Sequence, residues 1–289
     1  MSQLDHAESE FTAARPRLFG IAYRMSGSVA DAEDLVQEVW VRWQTADRAA
    51  VVNPEAYLAT AITRLAINES QTARARRETY VGPWLPEPVD TAADPQLGAE
   101  RGAVLELAVL MLLEKLTPTE RAAYVLREAF DYPYREIAEI VRTTEVAARQ
   151  LVSRARKHLA DERRAPVDSA EQRRLLSAFV AAAQAGELAE LERLFSDDVV
   201  SYSDSGGVAR AARVPLVGAR NLARVFASWA PKFWTGADVS FVEVNGLAAV
   251  AVGRDGDTHA LVTVTASAEG IDQVMWLVNP AKIGAFRTV

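Results

Sequence analysis

The run from Leu116 to Leu159 constrains this chain more than any other, because it reads as a short helix hairpin closed by a basic helix. Leu116-Thr117-Pro118-Thr119-Glu120 is a helix start, with Thr117 at the N-cap, Pro118 at the first helical position and Glu120 three residues after the cap. The helix continues from Arg121 to Phe130, and Asp131-Tyr132-Pro133 breaks it. Tyr134 to Val141 then restarts with Ile137, Ile140 and Val141 on one apolar face. After an Arg142-Thr143-Thr144 turn, a third helix runs from Glu145 to Leu159 around a seam of Ala148, Leu151, Val152, Ala155 and Leu159. Its other faces carry Arg149, Ser153 and Arg156 on one line and Gln150, Arg154 and Lys157 on the next. Thr144 and these six side chains are the candidate DNA-reading set. Arginine and lysine neutralise phosphates, and a bidentate arginine reads a guanine edge in the major groove. A solvated helix of an ordinary bundle is the plainer alternative.

The charge of the whole chain argues against DNA binding unaided. At −7 over 289 residues, its field repels a phosphate backbone, so either the basic surface is confined to patches or the protein reaches DNA with a larger partner. There is no cysteine, which excludes disulfides, thiolate zinc sites and cysteine nucleophiles. No run approaches the roughly 18 apolar residues of a membrane span, and Met1 to Glu10 is polar and acidic, unlike a secretory signal. The expectation is a cytoplasmic protein without membrane partners, and nothing in the chain calls for a cofactor.

The first 80 residues supply a second module. Phe11 to Met25 has a helical apolar face with Pro16 inside it, and Gly27-Ser28 breaks the pattern. In the next helix Leu35, Val36, Val39, Trp40 and Trp43 form an apolar face, while Asp31, Glu33, Asp34, Gln37 and Glu38 crowd the other side. A protein-binding surface ranks ahead of plain solvation there. Metal ligation ranks last, because no histidine lies nearby and His6 sits in the polar amino terminus. Asn53-Pro54-Glu55 opens a third helix, apolar along Leu58, Ala61, Ile62 and Leu65, with Arg64 and Asn68 on its other side and Arg74, Arg76 and Arg77 near its end. Such a helix suits unstacked bases and a phosphate backbone, or is an ordinary surface helix with an arginine-rich end.

The runs Arg15-Pro16-Arg17-Leu18-Phe19-Gly20-Ile21-Ala22-Tyr23-Arg24-Met25 and Val29 to Trp40 resemble region 2 of extracytoplasmic-function sigma factors, and Leu116 to Leu159 resembles their region 4. The resemblance implies that Asp31, Glu33, Asp34, Gln37 and Glu38 dock on the clamp of the largest subunit of core RNA polymerase, and that region 4 meets the β-flap. It also implies that Asn53, Arg64, Asn68, Arg74, Arg76 and Arg77 engage promoter DNA at the −10 element and the basic helix at the −35 element. Polymerase would then supply the grip on DNA that an acidic chain lacks.

Glu78 to Gly98 is rich in proline and lacks periodicity, as an extended connector should. Trp84-Leu85-Pro86-Glu87-Pro88 is nevertheless too apolar for a plain spacer and reads as a stiffened docking peptide, or as a linker packed on its own domain. Gly98 to Leu116 reads as the first helix of the second module, with Val104, Leu107, Ala108, Met111 and Leu112 inward.

Beyond Pro166 the pattern changes. Helices at Glu171–Gln184 and Leu188–Phe195 flank Gly186, a strand covers Val199–Ser203, and a helix covers Ala219–Trp229. Strands follow at Val239–Val244, Ala248–Gly253, Thr258–Ala268 and Ile271–Val278, predicting a separate α+β domain with a curved antiparallel sheet. This order resembles the SnoaL-like, or NTF2-like, cone fold. Pocket candidates are Tyr202, Asp204, Trp229, Trp234, His259, Asp272 and Trp276, with no readable Asp–His pair.

The sigma-factor subgroup with such an extension shares the Trp84–Pro88 motif and two others. Here these appear as Asp204-Ser205-Gly206-Gly207-Val208 and Asn279-Pro280-Ala281-Lys282-Ile283, with Val208 in place of a usual lysine and Ala281 in place of a usual aspartate. Their glycines suit a tight loop and close backbone approach, and Asn-Pro turns the chain off the last strand. The two departures predict a regulatory contact without a salt bridge.

The expected architecture is thus a region 2 domain over 1–78, a linker over 79–98, a helix-turn-helix domain over 99–165 and a SnoaL-like regulatory domain over 166–289. The expected function is an alternative sigma factor, not an enzyme, whose C-terminal domain touches region 2 or the linker and holds the free protein inactive. Rival readings are a polymerase-independent, ligand-sensing regulator and a SnoaL-type isomerase or hydrolase with a DNA-binding appendage.

Overall fold

The computed structural model describes residues 3–92, 104–284 and 286; the side chains of 3–6, 49, 71 and 73–76 are outside the description. The chain divides into two compact units, one of residues 1–78 and 94–162, the other of residues 79–93 and 163–289.

In the first unit, α1 (Gln3–Ser26) runs through Pro16 without interruption, and Gly27, at φ 65°, ends it. Ser28 then caps α2 (Val29–Thr45) by accepting from the Asp31 amide at 3.2 Å. The apolar faces of α1, α2 and α3 (Pro54–Glu78) meet around Leu18, Ile21, Leu35, Val39, Leu58 and Ile62. Trp43 is buried there, its indole donating to the Ala7 carbonyl at 3.1 Å.

The helix expected from Gly98 is shorter: α4 covers Leu107–Leu113 after a turn at Val104, and residues 93–103 lie outside the described set. Next comes α5 (Pro118–Glu128), whose start is a capping box with Thr117 and Glu120 bonded reciprocally. It is followed by α6 (Tyr134–Val141), which ends on Arg142 in the left-handed region, and α7 (Glu145–Glu162). Ala148, Val152, Ala155 and Leu159 form the buried seam of α7, and Leu151 is half-buried. The two sequence modules are not held apart: α5 packs on α1 and α3, and α6 packs on α3.

In the second unit, α8 (Ser169–Ala185) ends on Gly186 at φ 68°, and α9 (Leu188–Leu194) follows. Phe195, expected in that helix, instead opens β1 (Phe195–Asp204). Then come β2 (Leu216–Val217), α10 (Ala219–Phe233), β3 (Asp238–Val244), β4 (Leu247–Arg254), β5 (Asp257–Ser267), β6 (Gly270–Leu277) and the short α11 (Pro280–Ile283).

The sheet order is β2-β1-β6-β5-β4-β3, and it is mixed rather than antiparallel, because β1 runs parallel to β6 with Tyr202 opposite Met275 and Asp204 opposite Leu277. Two of the three antiparallel hairpins turn at Asn245-Gly246 and Asp255-Gly256, all four residues at positive φ, as type I′ two-residue turns require. Helices α8, α9 and α10 cover one face, and the Gln172 amide ties α8 to the Ala248 and Val264 carbonyls at 3.0 and 3.1 Å.

At Gly270, φ is 112° and an added Cβ would lie 2.7 Å from the Leu194 carbonyl oxygen, whereas Gly246 is at φ 79°, closer to the left-handed region, and an added Cβ there meets open space. Gly270→Ala should therefore destabilise the second unit by more than the roughly 1–3 kcal/mol of backbone strain that Gly246→Ala incurs. Urea unfolding checks this, and equal losses at the two positions would contradict it.

Candidate nucleic-acid interface and linker dock

On α7 the expected DNA-reading side chains point away from the seam and are exposed, but all three of its arginines already have carboxylate partners. Arg149 pairs with Glu145 one turn back and lies 4.7 Å from the Tyr134 ring centre. Arg154 Nε donates to Glu120 Oε1 at 2.9 Å, and Arg156 Nη2 to Glu128 Oε1 at 2.6 Å, so two cations of α7 lie against two acids of α5. Burial pushes the Glu120 carboxyl up, but hydrogen bonds from Arg154 and Thr117 outweigh it and hold the group below the usual carboxylate range. Thr144 caps α7, its hydroxyl accepting from the Ala147 amide at 3.2 Å. Gln150, Ser153 and Lys157 are exposed.

The expected −10 side chains divide differently. Asn53 caps α3 through the Ala56 amide at 3.1 Å, and Asn68 is exposed. Arg64 faces α6: its Nε and Nη2 donate at 2.9 Å to the carbonyls of Ile140 and Glu139, groups that a helix C-terminus leaves without internal partners. Arg77 bonds the Ser26 carbonyl and pairs with Glu114. The side chains of Arg74 and Arg76 lie outside the described residues.

Further bonds of the same kind join the two modules. Buried Arg121 donates to the Met25 carbonyl at 2.6 Å, Arg17 donates to the Phe130 carbonyl at 3.3 Å, and buried Arg24 lies 5.2 Å from the Phe130 ring centre. On α2, Asp34, Gln37 and Glu38 are exposed, while Glu33 pairs with Arg15 at 2.6 Å, Glu38 pairs with Arg42, and Asp31 lies in the first turn.

The linker is not a free connector. Residues 79–92 lie on the C-terminal domain and form part of the second unit. Leu85 and Asp204 have no exposed surface, and Pro86 and Pro88 are buried, while Trp84 and Glu87 are half-buried. The Asp204 carboxylate, at the end of β1, accepts from the Leu85 amide at 2.8 Å, from the Tyr80 hydroxyl and from Lys282 Nζ at 2.8 Å. Lys282, on α11, also donates to the Leu85 carbonyl at 2.5 Å, and its ammonium lies 4.6 Å from the Trp84 ring centre. Both backbone groups of Leu85 are therefore held by one buried ion pair.

This corrects the expectation of a contact without a salt bridge. The charges missing at Val208 and Ala281 are not those of the pair, which uses Asp204 and Lys282. Asn279, followed by Pro280, caps α11 and donates through Nδ2 to the Tyr80 hydroxyl at 2.9 Å. Burial, and then the bond to Asp204, push the Tyr80 phenol well above its usual value, so it remains a donor. Gly206 and Gly207 permit the approach: a Cβ on Gly206 would sit 2.6 Å from Asn279 Nδ2, and one on Gly207 3.1 Å from the Val81 Cβ. Farther along, Val89 exchanges two 3.0 Å bonds with Asn245, and Asp90 bridges to Val244 at the end of the edge strand.

The expected pocket is not assembled. Asp204 belongs to the linker dock, whereas Asp272, near the opposite end of β6, pairs with Arg164 at 2.7 Å. His259 and Trp229 are exposed, and Tyr202 is half-buried. Trp234 and Trp276 are buried in a ring cluster, with Trp276 5.6 Å from Phe226 and 5.3 Å from Phe233 between centroids. Among the described residues, no group of three or more acidic, histidine or cysteine side chains could hold a metal, and no helix is long and apolar enough to cross a membrane.

Sequence reasoning missed Tyr80, Asn245, Glu120's second role and Glu128. Tyr80 carries no local signal, and Asn245-Gly246 signals a hairpin turn but not its bonds to the linker. The two acids lie 34 and 28 residues from their arginines, beyond any helical spacing rule.

Comparison with known proteins agrees with this geometry. Residues 11–77 match the Sigma-70 region 2 family and residues 106–159 the Sigma-70, region 4 family. The ECF RNA polymerase sigma factor SigJ of Mycobacterium tuberculosis is 42% identical over 207 residues, an alignment spanning 70% of this chain and 66% of that protein. The probable ECF RNA polymerase sigma factor SigI of the same species is 31% identical over 209 residues, 71% of this chain and 72% of that one. The crystal structure of M. tuberculosis SigJ superposes with a TM-score of 0.77 at 32% identity, covering 97% of this chain and 99% of that chain. Helical sigma regions followed by an α/β domain with a mixed sheet define the class, and the chain belongs to the extracytoplasmic-function RNA polymerase sigma factors.

Removing one member of a buried pair strands the other's charge, at a cost of about 3–5 kcal/mol. Lys282→Met should lower the stability of the second unit by that order. The Asp204→Asn/Lys282→Met double variant should cost less than the sum of the single variants. A double-mutant cycle by urea unfolding measures the difference, and strict additivity would contradict the pairing.

Proposed function

We propose that this protein binds core RNA polymerase, directs it to specific promoters, and is held in check by its C-terminal domain, which captures the linker joining its two DNA-reading regions. The acidic face of α2, with Asp34, Gln37 and Glu38 exposed, is the surface for the polymerase clamp. Region 4 meets the β-flap and presents α7 to the −35 element, while Asn53, Arg64, Asn68, Arg74, Arg76 and Arg77 serve the −10 element. The acidic whole-chain charge fits this division, because the polymerase supplies most of the attraction to DNA.

The observation that carries the regulatory half is the buried Asp204–Lys282 pair closed on the Leu85 backbone. A second observation supports it. In the same structure Arg64 is spent on the C-terminus of α6, so the free chain keeps a DNA-facing side chain in an internal contact. Polymerase and promoter bind only the form in which linker and arginine are released, and their preference for that form shifts the population. On this reading the C-terminal domain acts as a receptor for its own linker. The space between its sheet and helices, where a sensor or isomerase would place a ligand, holds the Phe179, Phe226, Phe233 and Trp276 rings.

Run-off transcription with purified core polymerase tests both halves. At equal protein concentration, Lys282→Met in the full chain should raise promoter-dependent product severalfold, and deletion of residues after 170 should change it as well. Product unchanged in both variants would refute the regulatory reading, and no product with any form would refute the sigma-factor activity.

A further inference from the structure

We infer that Glu120 and Glu128 are specificity-determining residues of the DNA-reading helix: each holds one arginine of α7 against α5, so that neither arginine acts as a sequence-blind phosphate clamp. The inference rests on the reading of α7 as the helix that enters the groove.

The four basic side chains on the exposed faces of α7 fall into two sets. The carboxylate partner of Arg149 lies in its own helix, Glu145, with both side chains about half exposed, and its guanidinium also lies over the Tyr134 ring; such a surface ion pair adds little and yields readily to a phosphate. Lys157 makes no ion pair among the described residues. Arg154 and Arg156 are as exposed as Arg149, at 59% and 52%, but their partners belong to another helix and are mostly buried, with side-chain exposures of 17% for Glu120 and 22% for Glu128.

Glu120 is also fixed from its other side. Its Oε2 accepts from the Thr117 hydroxyl at 2.8 Å in the capping box, while Oε1 accepts from Arg154. Arg156 gives both Nε and Nη2 to the same Glu128 oxygen, at 3.2 and 2.6 Å. Each guanidinium is already compensated by a carboxylate, so a phosphate that bonds its remaining N–H groups gains less from it than from an unpaired cation.

This arrangement matters because each phosphate neutralised adds affinity for every sequence alike. Specificity is a difference of affinities, so withholding two cations from the backbone lowers the non-specific term and leaves Arg149, Gln150, Ser153 and Lys157 to read the site. Both acids thus work through arginines rather than by touching DNA.

The test is salt-dependent binding of the holoenzyme, core polymerase carrying the full chain, to a labelled duplex of scrambled sequence, followed by fluorescence anisotropy. Glutamine is the replacement of choice, because a capping box accepts Glu or Gln and Glu120→Gln keeps the cap while removing the charge. The slope of log K against log salt should steepen by about 0.9 for each arginine released, roughly 1.8 in the Glu120→Gln/Glu128→Gln variant. Adding Arg154→Ala and Arg156→Ala should return it to the wild-type slope.

A double variant with the wild-type slope, or with no measurable binding at low salt, would overturn the inference. So would a steepening that survives loss of the two arginines, since it would then reflect net charge alone. Retention of core polymerase by the wild-type chain, measured alongside, reports separately on the sigma-factor reading.

Discussion

A carboxylate with no exposed surface stands at the end of β1, and it cannot be left there without partners. Burying an unpaired Asp204 would cost more than the domain could spare, and the pair with Lys282 alone leaves oxygen lone pairs over. The remaining hydrogen bonds come from the linker, through the Tyr80 hydroxyl and the Leu85 amide. The C-terminal domain is therefore electrostatically incomplete without the peptide it binds. That dependence explains why a stretch with the composition of a spacer becomes part of another domain's core.

The contacts between regions 2 and 4 have a different character. Arginines of α1, α3 and α5 reach carbonyls at the ends of neighbouring helices, as Arg64 does at Ile140 and Arg121 at Met25. Bonds from a charged donor to helix-end carbonyls are directional; at a partly exposed position such as Arg64, water can take over the carbonyl and a phosphate the guanidinium, whereas Arg121 is buried and is also paired with Glu114. The linker dock is instead closed around a buried ion pair. The linker dock thus rests on one buried ion pair, whereas the contacts between regions 2 and 4 are spread over several arginines.

Local chemistry made the helical half legible. Thr117, Pro118 and Glu120 announce the start of α5, and the Tyr134–Val141 boundaries follow from Pro133 and the Arg142 turn. The acidic stripe of α2 and the docking character of Trp84–Pro88 were readable because both break the ordinary pattern of their surroundings. What remained hidden depends on pairing between distant residues. The parallel contact of β1 with β6 joins segments about 75 residues apart, and no periodicity reports strand direction. The missing salt bridge was a misreading of charge by position: attention fell on Val208 and Ala281, while the working ammonium lay one residue on, at Lys282. The supposed pocket failed because Asp204 and Asp272 lie near opposite ends of adjacent strands, a separation that a list of polar residues cannot show.

Everything in this account turns on whether the linker leaves its dock when polymerase arrives. Amide hydrogen exchange at Leu85, measured in the isolated protein and again in its complex with core RNA polymerase, reports that event at the atom concerned. The amide should be protected in the free chain, where it is bound to Asp204, and should exchange at least about tenfold faster in the complex, the equivalent of about 1.4 kcal/mol. Equal protection in the two states would mean that the dock stays closed during initiation, and linker capture would then be architecture rather than control.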